Sequence, residues 1–325
     1  MTRACPLCGE HGTLLYEQEP DRLFAHEGRW DVAECRDCGL WWIDPEPTPD
    51  AVASFYTRYH THGLPHDRAS AFQASMTYFA VRRRVFRRSS VRRLLAWGVR
   101  QPRDALAARV VRYLTAGLPL HPDPTQRRLL DVGSGNGWFL RMMADLGWQV
   151  HGCEPDPTAV HRAGLAEVDV RPVPLTPDLW PPGTFSAITL RHVIEHLGDP
   201  VSTLEACAAL LEPGGRLQIL CPNTASLGSA AFRQHWRGLE VPRHVRLYNP
   251  DNLARLIRSV GGFTVETVTT ETLNAWWFGW TSARLQGAPW PGQAAYRLAR
   301  AEHCRRLLVG AGEEIILEAR RIAPS

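Results

Sequence analysis

The chain contains no lysine, so all 37 of its basic side chains are arginine. That excludes Schiff-base chemistry on a lysine amine and a phosphate loop whose lysine reaches the terminal phosphates. Long apolar runs are also missing: no stretch of about 18 uncharged apolar residues is present to cross a bilayer, and the opening MTRACPLC lacks the apolar region of a secretory signal. The expectation is a cytoplasmic protein without a membrane partner. With 325 residues and 44% hydrophobic content, the chain can bury one good core and a smaller accessory unit.

A missing glycine bears on the cofactor. The stretch LLDVGSGNGWFL (Leu129 to Leu140) is an apolar run ending in Asp131, then Gly133, Gly135 and Gly137, then a helix start. The dinucleotide fingerprint GxGxxG would need its third glycine where Trp138 stands. A tryptophan there opposes the crowding of backbone N–H groups that a pyrophosphate requires. A nucleoside-like cofactor without phosphates is the expectation.

Four of the eight cysteines form two knuckles, CPLCG (Cys5, Cys8) and CRDCG (Cys35, Cys38). Each knuckle turns two thiolates inward, and the following glycine permits a positive backbone torsion. Together they predict a closed, tetrahedral, structural zinc site holding a ribbon over residues 1–45 that is too short to fold alone. Cys153, Cys207, Cys221 and Cys304 have no such spacing and read as small buried hydrophobes.

Residues 46–122 follow as a separate segment. After the proline-rich hinge DPEPTPD, the stretch from Ala69 to His121 carries eleven arginines against one acid, Asp104. Apolar residues at Val81, Val85, Val91, Leu94 and Leu95 fit a helix with a basic face. Such a face is either simply solvated or a dock for RNA, an acidic carrier protein or a phosphate-bearing substrate.

From residue 123 the pattern alternates strand and helix. Leu129 to Val132 reads as a buried strand, Trp138 to Leu146 as an amphipathic helix closed by Gly147, and WQVHGCE as a strand ending at Glu154. FSAITL and GRLQIL are further strands. The result is an α/β, doubly wound sheet whose ligand lies beyond the carboxyl ends of its strands. Glu154 stands there, 19 residues after Gly135, able to accept both hydroxyls of a ribose.

The ordered motifs LLDVGSGNGWFL, VHGCEPDP, FSAITLRHVIEHLGDP, LEPGGRLQILCPN and EEIILEARR resemble class I S-adenosylmethionine (SAM) methyltransferases of the group that includes ubiquinone-type O-methyltransferases. The resemblance implies a Rossmann-like seven-stranded sheet over residues 123–325, with insertions at 222–249 and 271–312. It implies that Asp131, Gly133, Ser134, Gly135 and Gly137 hold the methionine end of SAM and Glu154 the ribose. Pro155 would cover one adenine face, backbone near Pro174 and Leu175 would read adenine, and Arg191 would sit at the cofactor rim. Ser186 occupies a position where the family often has aspartate. The ribbon resembles modules upstream of sugar and secondary-metabolite methyltransferases, and WRGLEVPRHVRLYNPDNL looks typical of that company. A ribosomal-RNA guanine methyltransferase group also carries an N-terminal zinc module. Two functions therefore stay open: methylation of a small molecule, with ribbon and basic helices shaping a pocket or a homodimer contact, or modification of RNA.

A hydroxyl or acidic-carbon acceptor requires a base in line with the methyl. His192, just past the fourth strand of the sheet, and His244, in PRHVRLY, are the candidates. Glu195 and His196, one helical turn on, are expected to cap and pack. Arg243 and Arg246 could bind an acceptor carboxylate or phosphate bidentately. An unperturbed imidazole would titrate near about 6.5. Trp276, Trp277, Phe278, Trp280 and Trp290 either pack on the sheet or wall the acceptor pocket.

Overall fold

A computed structural model describes residues 3–55, 112–118, 127–162, 168–305 and 311–323. Most of the arginine-rich stretch lies outside these residues, as does the side chain of Cys304. Among the described residues no helix is long and apolar enough to cross a membrane.

The N-terminal unit is an antiparallel meander of β1 (Arg3–Ala4), β2 (His11–Glu19), β3 (Trp30–Cys35) and β4 (Trp41–Asp44), followed by α1 (Pro49–Ser54). The larger unit begins with β5 (Arg128–Val132), α2 (Trp138–Asp145), β6 (Gln149–Cys153), α3 (Pro157–Arg162), β7 (Asp169–Arg171) and β8 (Phe185–Arg191). A 3-10 turn (Ile194–His196), α4 (Pro200–Leu210), β9 (Leu211–Pro222) and α5 (Leu227–Phe232) come next. The chain continues through β10 (Arg246–Leu247), α6 (Pro250–Val260), β11 (Phe263–Glu271), α7 (Ala275–Leu285), α8 (Pro291–Arg305) and β12 (Glu314–Arg321).

Seven strands form the main sheet in the order β11-β12-β9-β8-β5-β6-β7. It is parallel from β9 to β7, and β12 runs antiparallel between β9 and β11. The parallel strands read as apolar runs because helices cover both faces; Leu129, Leu130, Ile188, Leu190, Leu217 and Ile219 are all 0% exposed. Register then places chemistry: Asp131 is level with Gly152 on one side and Thr189 on the other.

Local signals set the helix ends. Gly137, at φ 67°, turns the chain into α2, which buries Phe139, Leu140, Met142 and Met143 on one face. Asp199 caps α4 by accepting the Ser202 N–H at 3.1 Å. In α6, Asn249 and Asn252 form a reciprocal capping box, and both amide groups also donate to the Cys38 carbonyl, at 3.2 and 3.1 Å. A helix start of the large unit is thus bound to the second cysteine knuckle.

The insertion after β9 does more than form a loop. Its end supplies β10, which pairs with β4 (Arg246 opposite Trp42, Leu247 opposite Trp41), and the Ile43 N–H donates to the Val245 carbonyl at 3.1 Å. The ribbon and the larger unit therefore share one small sheet. The aromatic insertion divides: Phe278 is buried against Trp236, with ring centroids 6.3 Å apart, whereas Trp276 and Trp290 are 47% and 72% exposed.

Candidate functional site

The carboxyl ends of β5, β6 and β8 form one wall of the site. Gly133, Gly135 and Gly137 all take left-handed torsions, at φ 66°, 50° and 67°. A Cβ on Gly133 would lie 2.5 Å from Val193 Cγ2, so only glycine lets this turn lie against the residue that follows His192. Glu154, at the end of β6, holds the turn: Oε2 accepts the Gly135 N–H at 2.9 Å and Oε1 accepts the Asp156 N–H at 3.0 Å. Asp131 is buried and accepts the Thr189 hydroxyl at 2.6 Å. Burial raises its carboxyl to about 7, against the opposing pull of Thr189 and of the Arg191 charge.

This wall carries polar atoms that no described residue satisfies. Ser134 Oγ and Arg191 Nη1 are buried without a hydrogen-bond partner among the described residues. Arg191 lies over the rings of Phe139 and Tyr113, 4.9 and 5.4 Å from their centroids. A hydroxyl donor and a guanidinium beside a glycine turn suit an anionic group such as an amino-acid carboxylate. Pro155 is exposed beside them and Leu175 is half-buried against the core.

At the end of β8 the chain passes through His192 at φ 55°, a torsion uncommon for a residue with a side chain. The ring is 40% exposed toward the open end of the strands. Its Nδ1 lies 3.3 Å from Glu195 Oε1 and its Nε2 lies 2.9 Å from Glu314 Oε1, and both carboxylates are fully buried. Burial opposes the charged imidazole, but hydrogen bonds to Glu195 and Glu314 outweigh it and raise His192 to about 9. Burial likewise opposes ionisation of Glu195, and its bond to His192 with the surrounding histidines keeps the carboxyl below its ordinary value. Glu314 is fixed in turn by the Tyr113 hydroxyl, at 3.2 and 3.1 Å, and by Asn274 Nδ2 at 3.0 Å.

His244 lies deeper, 4% exposed. Its Nδ1 donates to the Gly238 carbonyl at 2.7 Å, which leaves Nε2 facing Glu240 Oε2 at 3.6 Å and Glu195 Oε1 at 4.0 Å. Burial lowers this imidazole to about 4, so it stays neutral. His244 therefore stands behind Glu195, away from the open rim where His192 stands. Glu195, His196 and His244 bring ligand-type atoms within 4.8 Å of one another. Instead of capping a helix, Glu195 binds His192. The two arginines offered to the acceptor are engaged within the protein: Arg243 with Asp21, and Arg246 with both oxygens of Glu46 at 3.0 Å.

Sequence reasoning did not pick out Glu314, Tyr113, Asn274, Asp21 or Glu240. A signal existed for Glu314. Two adjacent acids stand directly before the apolar run Ile315 to Leu317, and both Glu313 and Glu314 are 0% exposed; buried carboxylates require partners.

In the ribbon, Cys5 and Cys38 sulfurs lie 3.7 Å apart, Cys8 and Cys35 3.4 Å, and Cys8 and Cys38 3.6 Å. All four lie within 4.8 Å of one another. A zinc–sulfur bond of about 2.3 Å in a tetrahedron requires sulfurs about 3.8 Å apart. Backbone N–H groups of Leu7 and Cys38 point at the sulfurs of Cys5 and Cys35, at 3.4 and 3.5 Å, an arrangement that favours thiolates. Cys153, Cys207 and Cys221 are buried in the core.

Comparison with known proteins gives a consistent picture. A family model described as a methyltransferase domain matches residues 99–268. The ubiquinone biosynthesis O-methyltransferase of Xanthomonas axonopodis pv. citri (strain 306) is 34% identical over 181 residues, covering 50% of this chain and 72% of that protein. The protein of the same name from Xanthomonas campestris pv. campestris (strain B100) is 38% identical over 179 residues, with the same 50% and 72% coverage. A solved SAM-dependent methyltransferase from Archaeoglobus fulgidus aligns with a TM-score of 0.44 at 20% identity, over 67% of this chain and 94% of that one.

Proposed function

Because the chain belongs to the class I S-adenosylmethionine-dependent methyltransferases, we propose that it methylates a hydroxyl oxygen of a small molecule, with His192 as the base. The observation that carries this reading is the His192 ring, open on one side and clamped between two buried carboxylates beside the glycine turn. SAM, when bound, supplies a methyl group on a positively charged sulfur. Asp131, Ser134 and Arg191 would hold its amino-acid end, and Glu154 its ribose hydroxyls. His192, once deprotonated, would take the acceptor proton at Nε2, the acceptor oxygen taking the place of the Nε2–Glu314 contact, with Glu195 holding Nδ1 and keeping the ring oriented. The ribbon cysteines would hold one zinc ion, closed to water and structural in role.

A base titrating near 9 matches a phenolic hydroxyl, whose ordinary value is about 10, better than it matches the far less acidic alcohol of a sugar. The relatives named as ubiquinone biosynthesis O-methyltransferases support transfer to an oxygen of a small molecule. Formation of S-adenosylhomocysteine tests the proposal with 3,4-dihydroxybenzoate as phenolic probe, methyl glucoside as alcohol probe and a structured RNA. Turnover with the phenol alone supports the reading. Turnover with RNA alone, at a rate falling steeply with salt, overturns it.

The cofactor assignment has its own check. Glu154→Ala removes a charged acceptor from the ribose, about 1.5–3 kcal/mol per hydrogen bond lost, and also frees the Gly135 N–H that fixes the turn. Calorimetry with S-adenosylhomocysteine should register at least a tenfold weaker affinity. Unchanged binding would remove Glu154 from the cofactor site.

A further inference from the structure

We infer that Asp21, in the ribbon, is a positioning residue for the transfer centre, acting through Arg243 on the turn that carries Glu195, so that the ribbon forms part of the catalytic site. The inference rests on the reading of His192 as the proton acceptor.

Asp21 begins the loop between β2 and β3. Its Oδ1 accepts the N–H groups of Leu23 and Phe24, both at 3.0 Å, and its Oδ2 accepts that of His26 at 3.1 Å. The loop thus fixes its own carboxylate before anything else docks. Arg243, 222 residues away, donates Nη1 to Oδ2 at 2.9 Å and Nη2 to Oδ1 at 2.8 Å, and both side chains are fully buried. The guanidinium also lies over Phe24, 4.1 Å from the ring centroid, and its Nε donates to Glu240 at 3.2 Å. A planar fork held at two points and sandwiched on a ring has little freedom left.

The backbone of Arg243 transmits that rigidity. Its carbonyl accepts a hydrogen bond from His196 Nδ1 at 3.0 Å; because a carbonyl only accepts, the proton is on that nitrogen. His196 follows Glu195 in the 3-10 turn, and Glu195 holds His192. The following residues are bound to the ribbon as well, through the Val245 carbonyl and the β10–β4 pairing. The segment that closes over Glu195 is therefore fastened to the ribbon at Asp21 and at β4. A buried ion pair of this kind adds little stability compared with apolar packing, whereas losing one partner leaves the other charge buried and unbalanced. Its use here is orientation.

The test needs no knowledge of the acceptor. Histidine-labelled protein, zinc-loaded and saturated with S-adenosylhomocysteine, is followed by nitrogen-15 NMR, with His192 and His196 assigned through His192→Gln and His196→Gln. In the wild type the His196 Nδ1 proton should exchange slowly and His192 should titrate near 9. Asp21→Asn keeps an oxygen for the loop N–H groups but removes the charge that holds Arg243. It should speed exchange of the His196 proton at least about tenfold and lower the His192 midpoint by about one unit, as Glu195 loses its alignment. Arg243→Lys, which keeps the charge but not the fork, should do the same and serves if Asp21→Asn does not fold. Asp37→Asn, which removes an exposed ribbon pair with Arg255, should change neither signal. A folded Asp21→Asn protein with both signals unmoved overturns the inference. A wild-type His192 midpoint near 6.5 would instead show that Glu195 and Glu314 do not hold the ring as a cation, unchanged turnover in His192→Gln would overturn the base assignment, and in either case the His196 exchange rate would still decide the role of Asp21.

Discussion

Replacing His192 with glutamine should lower turnover about a hundredfold to ten-thousandfold, the usual worth of a positioned proton acceptor. Affinity for S-adenosylhomocysteine should stay close to that of the wild type, because the groups assigned to the cofactor, on the glycine turn, at the ends of β5 and β6 and at Arg191, do not include the His192 side chain. The pH profile carries the sharper information. Two carboxylates favour the charged imidazole, so the ring holds its proton through neutral pH and can accept another group's proton only as the pH approaches 9. The rate should climb about tenfold per unit up to that limb instead of levelling near the 6.5 of an isolated imidazole. Glu314→Gln removes one of the two carboxylates and should move the limb downward. A rate already level at pH 7, with Glu314→Gln indistinguishable, would show that the two carboxylates do not raise the ring, and undiminished turnover in His192→Gln would show that His192 does not take the proton.

Much of this centre could be read from the sequence, because its signals are local. Apolar runs buried on both faces gave the parallel strands, and a glycine turn followed by an acid one strand later gave the cradle around Asp131 and Glu154. CxxC spacing brought four sulfurs together before any distance was known. What escaped depends on long-range pairing. Glu314 reaches His192 only because β12 inserts between β9 and β11, placing Glu314 opposite Pro222. Asp21 meets Arg243 across 222 positions, and no local pattern in either segment announces the other. The insertion illustrates the same limit. PRHVRLY offers cations and an imidazole suited to an acceptor, yet the fold gives each a partner within the protein: Arg243 and His244 are buried against Asp21 and a backbone carbonyl, and Arg246 pairs with Glu46 nearer the surface. Residue type suggested the chemistry, and only the fold decided which groups face the open end.

Stripping the metal should have the largest effect on the whole molecule, and it should reach the transfer centre. The prediction is one zinc per chain, lost together with order in the ribbon when a strong chelator is applied or when Cys35→Ser removes a ligand. Structural zinc contributes on the order of 10 kcal/mol to the folding of isolated small zinc units. Here part of that is shared, because Trp42, Ala33 and Leu40 of the ribbon are buried in the same cluster as Leu130, Ile188 and Ile219 of the main sheet. A loss of even about 5 kcal/mol would lower the unfolding midpoint by roughly 10–20 °C in a domain of this size. The ribbon also carries Asp21, the β4 edge that pairs with β10, and the Cys38 carbonyl that receives both amides of the α6 cap. Metal removal should therefore abolish methyl transfer at temperatures where the main sheet is still folded, with S-adenosylhomocysteine binding the last property to go. Elemental analysis of the purified protein, circular dichroism through a thermal scan and turnover before and after chelation check each step. Full turnover in a protein shown to be free of zinc would mean that the four sulfurs need no ion to hold the ribbon in place.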